Sequence, residues 1–312
     1  MTVDALEITR CPAELCAEAL ALVLCELAPS QRKELADRQG KATNSSSPSR
    51  LAEEALFIAR RDGEIRGAAW GQRQSGNVAD FWPPQLVPGE PAATAMLLAE
   101  AVVAALDKSN VDLAQALLPA PCPEIDPVLR QVGFRQPVNL LYLSCEAARF
   151  PIVAPEPCEI DFEAYSLTQR ERLMAIVERT YENTLDCPEL DGVRSVGDVL
   201  TGYQATGEFR PENWLFVRHD HHDIGVLLLA DHVQAGHWEL VYMGLAPEFR
   251  RRGWGRQIAR YAQWLARAAR VSRILVAVDA VNEPAVKMYR ATGFEIWERR
   301  AVYLRFPPLR RG

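Results

Sequence analysis

The sequence predicts an α/β protein built from two copies of one domain, and three observations carry that prediction. An apolar strand, a short polar turn and a second strand occur twice, in "ALFIARRDGEIRGAAWGQ" (Ala55 to Gln72) and in "WLFVRHDHHDIGVLLLADH" (Trp214 to His232). Further along each half, "PVLRQVGFRQP" (Pro127 to Pro137) and "VKMYRATGFEI" (Val286 to Ile296) share an arginine and a Gly-Phe. Both pairs are offset by about 160 residues, half the chain, as a duplicated domain requires. In the second half a strand also runs through a glycine-rich turn into a helix and on to another strand, which is an α/β order.

The bulk properties agree. A chain of 312 residues suits two domains. Its 48% apolar and 24% charged content is that of a globular protein in water. A net charge of −6 argues against a nucleic-acid partner, which needs a basic face. No apolar run is long enough to span a bilayer, and "ELCAEALALVLCELA" (Glu14 to Ala28) carries glutamates and no basic lead, so neither membrane nor secretion signal is expected. The seven cysteines (11, 16, 25, 122, 145, 158 and 187) contain no CxxC. They read as reduced thiols of a cytoplasmic protein, neither a disulfide frame nor a metal site, with Cys187 a packed thiol before it is a reactive one.

The elements follow in order. "FPIVAPEPCE" (Phe150 to Glu159) is a proline-rich linker, which divides the chain into domains 1–152 and 156–312. "KATNSSSPSR" (Lys41 to Arg50) reads as a mobile polar loop in the first. In the second, Ser166 and Gln169 form a capping-box pattern that opens a helix to about Thr180. Glu182 to Gln204 is loop and a short helix, the Trp214–His232 hairpin follows, and "HWELVYMGL" (His237 to Leu245) is a third strand. Trp254, Ile258, Tyr261, Ala262, Leu265 and Ala269 recur at helical spacing, with Arg256, Gln257, Arg260, Gln263 and Arg267 on the opposite face. "RILVAV" (Arg273 to Val278) is a buried strand, Glu283 to Thr292 a short helix opened by Pro284, and "RRAVYLRF" a last strand.

The chemistry concentrates in "RRRGWG" (Arg250 to Gly255), where that strand hands over to that helix. Three adjacent arginines repel one another, and two glycines weaken a helix start, so the segment is an exposed loop or an anion site. Glycine lets backbone N–H groups approach a ligand closely, and the helix start contributes about half a positive charge. With Arg250, Arg251, Arg252 and Arg256 around it, a pyrophosphate fits. A Walker A loop does not, because Arg256-Gln257 replaces Lys-Ser/Thr. A dinucleotide GxGxxG does not, because Ile258 stands at the third glycine.

This hexapeptide satisfies the R/Q-x-x-G-x-G/A signature of the GNAT superfamily of acetyl-CoA-dependent N-acetyltransferases, and it follows "GLAP" as those signatures do. "NEPAVKMYRATGF" (Asn282 to Phe294) resembles the family's second block. The close resemblance covers Glu239 to Phe294, with weaker support over Cys158 to Arg305. It implies two tandem GNAT-like domains, each a mixed central sheet flanked by helices. It further implies acetyl-CoA as co-substrate without metal, and acetyl transfer to a primary amine of a small molecule or peptide by direct attack in a ternary complex. Carried onto single residues, the backbone of Arg250, Arg251, Arg252, Gly253, Trp254, Gly255 and Arg256 would cradle the pyrophosphate. Met243, Gly244 and Leu245 would pair with the pantetheine arm, and Leu245 N–H would polarise the acetyl carbonyl. Asn282 would contact the arm, and Tyr289 would protonate the departing thiolate, against the alternative of a core tyrosine.

The base is open at this stage. Glu239 lies on the strand before the loop, where many members place a glutamate; Tyr242 and His237 are the fallbacks. Strict alternation puts Glu239 on the face of Val241, Met243 and Leu245 unless a bulge intervenes. Glu182, Asp186, Glu189 and Asp191 would suit a cationic acceptor. His219, His221 and His222 with Asp220 and Asp223 form a solvated turn rather than a metal site. The first copy has neither arginine nor G-x-G in "LVPGEPAATAMLLAEAV" (Leu86 to Val102), so it reads as a degenerate domain. The competing function class is a non-catalytic acyl-CoA-binding or sensing module.

Overall fold

The computed structural model describes residues 5–25, 55–119, 122–155, 159–190 and 192–308. The Lys41–Arg50 segment, Cys158 and Asp191 lie outside them. Contacts divide the chain into two compact units, Met1–Pro137 with Val302–Gly312 and Val138–Ala301.

In the first unit, strands β1 (Glu7–Arg10), β2 (Ala55–Arg61), β3 (Glu64–Gln74) and β4 (Val78–Leu86) are successively antiparallel. β5 (Leu113–Pro119) joins β4 in parallel. Asp62 and Gly63 turn the β2–β3 hairpin with φ of 52° and 83°, the paired left-handed conformation of a two-residue hairpin loop. Helices α1 (Cys16–Val23), α2 (Ala93–Asp107) and α3 (Asp126–Gln131) complete the unit. Leu98, Ala99 and Val102 of α2 are fully buried, and a Cβ on Gly71 would meet Val102 Cγ1 at 2.9 Å. The apolar helix therefore rests directly on β3. Arg305 closes this unit, donating two hydrogen bonds to Asp107 (2.6 and 2.8 Å) and one to Val132 O (3.0 Å).

In the second unit the strand order is β6 (Arg135–Glu146), β11 (Arg273–Asp279), β10 (His237–Leu245), β9 (His222–His232), β8 (Trp214–His219), β7 (Asp161–Ala164). β10 and β11 run parallel and the other neighbours antiparallel. One face carries α4 (Arg170–Tyr181) and α5 (Val196–Gln204), packed through Leu173, Ile176, Val177 and Leu200. The other carries α6 (Trp254–Ala268) and α7 (Glu283–Ala291), packed through Trp254, Ile258, Ala262 and Tyr289. β12 (Glu295–Arg305) follows.

The expected helix starts are present. Gln169 Oε1 accepts the Ser166 N–H at 2.9 Å, and a 3₁₀ turn over Leu167–Gln169 leads into α4. One side-chain assignment is corrected. Gln263 does not face solvent with the arginines: it is 1% exposed and donates to Thr292 O at 2.7 Å. A buried amide of that kind needs a backbone partner, which helical periodicity cannot reveal.

Candidate active site

β10 and β11 separate where the site lies. They pair only from Trp238 to Leu240, opposite Ile274 to Val276, while β10 continues along β9 to Leu245. The Ala246 N–H bonds Ile224 O at 2.8 Å, toward β9. Backbone groups alternate along a strand, so the N–H groups of Gly244 and Tyr242 also face β9. Those of Met243 and Leu245 face the opening toward β11. A bulge interrupts β10 between Leu240 and Tyr242. It reverses the phase that strict alternation gives, because the extra residue turns the following side chains to the other face. Trp238, Leu240, Met243 and Leu245 thus pack with α6, and Tyr242 packs with α4. Glu239 falls on the Tyr242 face.

Gly244 is fixed by crowding. A Cβ there would meet Tyr242 Oη at 2.7 Å and Thr180 Cβ at 2.8 Å. Thr180 and Tyr242 share a hydrogen bond of 2.8 Å, which ties the end of α4 to β10.

After β10, Pro247–Phe249 make a 3₁₀ turn and the arginine loop begins. Arg250 is a brace. Its guanidinium donates to Leu245 O, Asn183 O and Thr180 O, each at 2.9 Å, so its side chain binds three carbonyls. Arg251 and Gly253 have φ of 64° and 82°, and Gly253 precedes the right-handed helix. Left- and right-handed conformations in succession point consecutive N–H groups into one concavity. Among the described residues, no protein acceptor meets the N–H of Arg251, Arg252 or Gly253, and the 15-residue helix α6 adds its N-terminal dipole there. Nothing lies within 4 Å of a Cβ built on Gly253, and Met288 Cγ is 3.9 Å from one on Gly255. Trp254 is buried beneath, with the Arg252 guanidinium 5.0 Å above its ring. Arg251 and Arg256 are exposed. The donors, charge and open approach fit a pyrophosphate.

Tyr289 is buried on α7 with its ring edge-on to Phe294 at 5.3 Å. Burial, then the Asp186 charge, push its phenol well above the ordinary tyrosine range. It stays protonated at neutral pH, the state of a proton donor. Asn282 caps α7, its Oδ1 accepting the Ala285 N–H at 3.3 Å. Glu239 Oε2 lies 2.9 Å from His232 Nε2. Of the fallback bases, Tyr242 is pushed above its ordinary range, first by burial, and makes a poor proton acceptor. His237 is buried and stacked on His232.

The acidic loop is partly spent on structure. Asp186 Oδ1 accepts the Asp279 N–H at 3.0 Å, and its carboxyl is raised chiefly by burial. Asp279 Oδ2 accepts the Cys187 N–H at 3.3 Å. Burial pushes the Cys187 thiol up, away from thiolate reactivity. Glu182 and Glu189 are exposed. Asp220 and His221 form the β8–β9 turn with φ of 47° and 64°, and among the described residues no three metal-ligating side chains converge. Thr180, His232 and Asp279 were not singled out as site residues from the sequence; each acts through a partner on another element, and no local motif announces them.

The model of the acetyltransferase (GNAT) family matches residues 177–294. Mycothiol acetyltransferase of Thermobifida fusca (strain YX) is 35% identical over 69 residues, 22% of this chain and 21% of that relative. The chain thus matches about a fifth of that relative's length. Among solved structures, a GCN5-related N-acetyltransferase from Sphaerobacter thermophilus superposes with a TM-score of 0.67 at 16% identity, covering 96% of this chain and 95% of that one. A tandem GNAT protein from the clavulanic acid biosynthesis pathway superposes with a TM-score of 0.54 at 13% identity, covering 98% and 100%. At these identities the likeness is one of fold.

Proposed function

We propose that this chain, which carries a GNAT acetyltransferase domain over residues 177–294, is an N-acetyltransferase. It moves the acetyl group of acetyl-CoA to a primary amine of a small molecule or peptide by direct attack in a ternary complex. One observation carries this reading: the Met243 and Leu245 N–H groups that β11 leaves open lead directly into the Arg251–Gly255 concavity at the start of α6. A thioester arm on the strand edge and a pyrophosphate in the loop would follow one continuous path.

The roles follow from the chemistry of each group. Bound acetyl-CoA supplies the activated acetyl thioester. Arg251 to Gly255 hold its phosphates through backbone N–H groups, Arg256, whose own N–H bonds Gly253 O, adds side-chain charge, and Arg250 keeps the loop in place through Leu245, Asn183 and Thr180. The N–H groups of Leu245 and Met243 orient the carbonyl and meet the charge that develops on its oxygen. Glu239 Oε takes the proton of the acceptor ammonium, directly or through water. Tyr289 Oη returns a proton to the leaving sulfur. Residues 156–312 form the catalytic copy and 1–152 the degenerate one. The free cysteines 11, 16, 25, 122, 145 and 187 support a reducing, cytoplasmic setting. Among the described residues no helix is long and apolar enough to cross a membrane.

Release of coenzyme thiol from acetyl-CoA, followed with and without added amines, tests the proposal. Amine-dependent release is expected. Tight binding of acetyl-CoA with no release for any amine would favour the binding-module reading instead.

A further inference from the structure

We infer that His232 is a positioning residue for the proposed base: the imidazole on β9 anchors the Glu239 carboxylate on β10 as a carboxylate–imidazole dyad. The inference rests on the N-acetyltransferase reading and goes beyond it by assigning the group that fixes and tunes the base.

Register brings the pair together. His232 stands opposite His237 across the β9–β10 ladder, and Glu239 opposite Ala230, so His232 and Glu239 are diagonal neighbours on one face. The imidazole is 7% exposed and stacks on His237 with centroids 4.6 Å apart and planes 16° from parallel. That stack fixes the ring plane. Nε2 then lies 2.9 Å from Glu239 Oε2, on two strands rather than on loops. A base on rigid elements, with one oxygen tethered, presents its carboxylate in one orientation toward the Tyr242 face.

The tether also has a sign. An imidazole N–H held against Oε2 bonds the ionised carboxylate better than the protonated acid, so removal of the imidazole is expected to favour the protonated form. Other titratable groups lie near the pair. His237 lies in the stack. Asp231 is engaged by Arg210 at 3.3 Å, and Arg210 also by Glu208 at 2.9 Å. Tyr181, Tyr203 and Tyr242 lie together on the α4 face, where burial raises Tyr203 and Tyr242 first. On β11 the register partner of Glu239 is the apolar Leu275.

The test uses the full chain with acetyl-CoA and whichever of an alkylamine, an amino sugar and a tripeptide gives fastest thiol release. Three variants are compared with the parent: His232→Leu, His232→Gln and Glu239→Gln. Loss of the outer partner of a metal-bound ligand costs about 10–100-fold; by the same orienting role, His232→Leu should lower kcat/KM about tenfold. KM for acetyl-CoA should hold, and the acidic limb of the pH profile should move to higher pH. A glutamine amide reaches the position of Nε2 and still donates, so His232→Gln should return the limb to its parental place and most of the rate. A purely packing role would not move the limb. If His232→Leu leaves rate and limb unchanged while Glu239→Gln is slow, the dyad is overturned and the base stands. A Glu239→Gln variant as fast as the parent, or no turnover with any amine, overturns the underlying reading and the dyad with it. Should His232→Leu not fold, His232→Gln decides: a tenfold loss or a shifted limb contradicts the donor role.

Discussion

Tyr289 shows how one residue's surroundings select its chemistry. A buried phenol raised above its ordinary range cannot serve as a base near neutrality, but it can hold a proton for a leaving group, the role proposed for it. Tyr289→Phe should therefore lower kcat by about 10²-fold, the smaller end of general-acid effects, while acetyl-CoA affinity changes little. Because the donor form is the protonated one and its pKa is raised, activity should persist to higher pH than an ordinary tyrosine would allow. Steady-state kinetics across pH checks both points, and an unchanged kcat removes Tyr289 from the mechanism. Arg250 makes a different residue-scale statement. Hydrogen bonds from a charged group contribute about 1.5–3 kcal/mol each when measured by deletion. Arg250→Ala, which abandons three carbonyls, should destabilise the second unit by at least about 2 kcal/mol, read as a lower urea midpoint. The arginine run stood out in the sequence, but not the division of labour inside it. Arg250 reaches carbonyls on α4 and beyond it, and such long-range contacts leave no trace in spacing.

At the scale of elements, the glycine-rich turn was readable because glycine there has a physical reason. Gly253 has φ of 82° with open space around its Cβ position, so a side chain would be strained by conformation rather than by collision. That conformation costs a non-glycine residue about 1–2 kcal/mol, and a side chain would intrude on the N–H groups. Replacing Gly253 and Gly255 with valine should abolish coenzyme binding and leave the fold; calorimetry beside a thermal melt separates the two effects. The bulge in β10 was not readable. Both faces of that strand are half buried, so apolar alternation did not mark where the phase changes, and Glu239 came to share a face with Tyr242. The sheet edge offers a pH test. Glu163 accepts from Arg172 and pairs with Arg218, and these bonds, Arg172 first, hold its carboxyl down at about 2, from 4.5. A lowered acid stabilises above its unfolded value, and that contribution disappears as pH falls from 4.5 toward 2. Glu163→Gln should therefore reduce the unfolding midpoint at pH 7 and narrow the gap to the parent at pH 3. An equal deficit at both pH values would contradict the assignment.

For the whole molecule, the duplication carried the prediction of the fold class, because hairpins and Gly-Phe turns recur at a fixed offset whatever the loops between them carry. The first unit carries different residues at the place that corresponds to the arginine loop. Ahead of α2, the Glu90 side chain is 2% exposed, accepts from Thr94 Oγ1 at 2.6 Å and pairs with Arg61 at 3.3 Å and Arg66 at 3.5 Å. An internal carboxylate already engages the donors there, and Pro88 and Pro91 supply no N–H. Each chain should accordingly bind one coenzyme A, and a calorimetric stoichiometry near two would overturn the degenerate reading of residues 1–152. The acceptor was not legible, since loop residues take their roles from the assembled fold and leave no periodic signal in the sequence. The most direct test of acetyl transfer through the Arg251–Gly255 site is mass spectrometry of a metabolite extract incubated with this protein and acetyl-CoA labelled in the acetyl group. A labelled amide should form with the parent chain and be absent with the Gly253→Val/Gly255→Val variant. Label that stays on bound coenzyme, or appears only as free acetate, would contradict it.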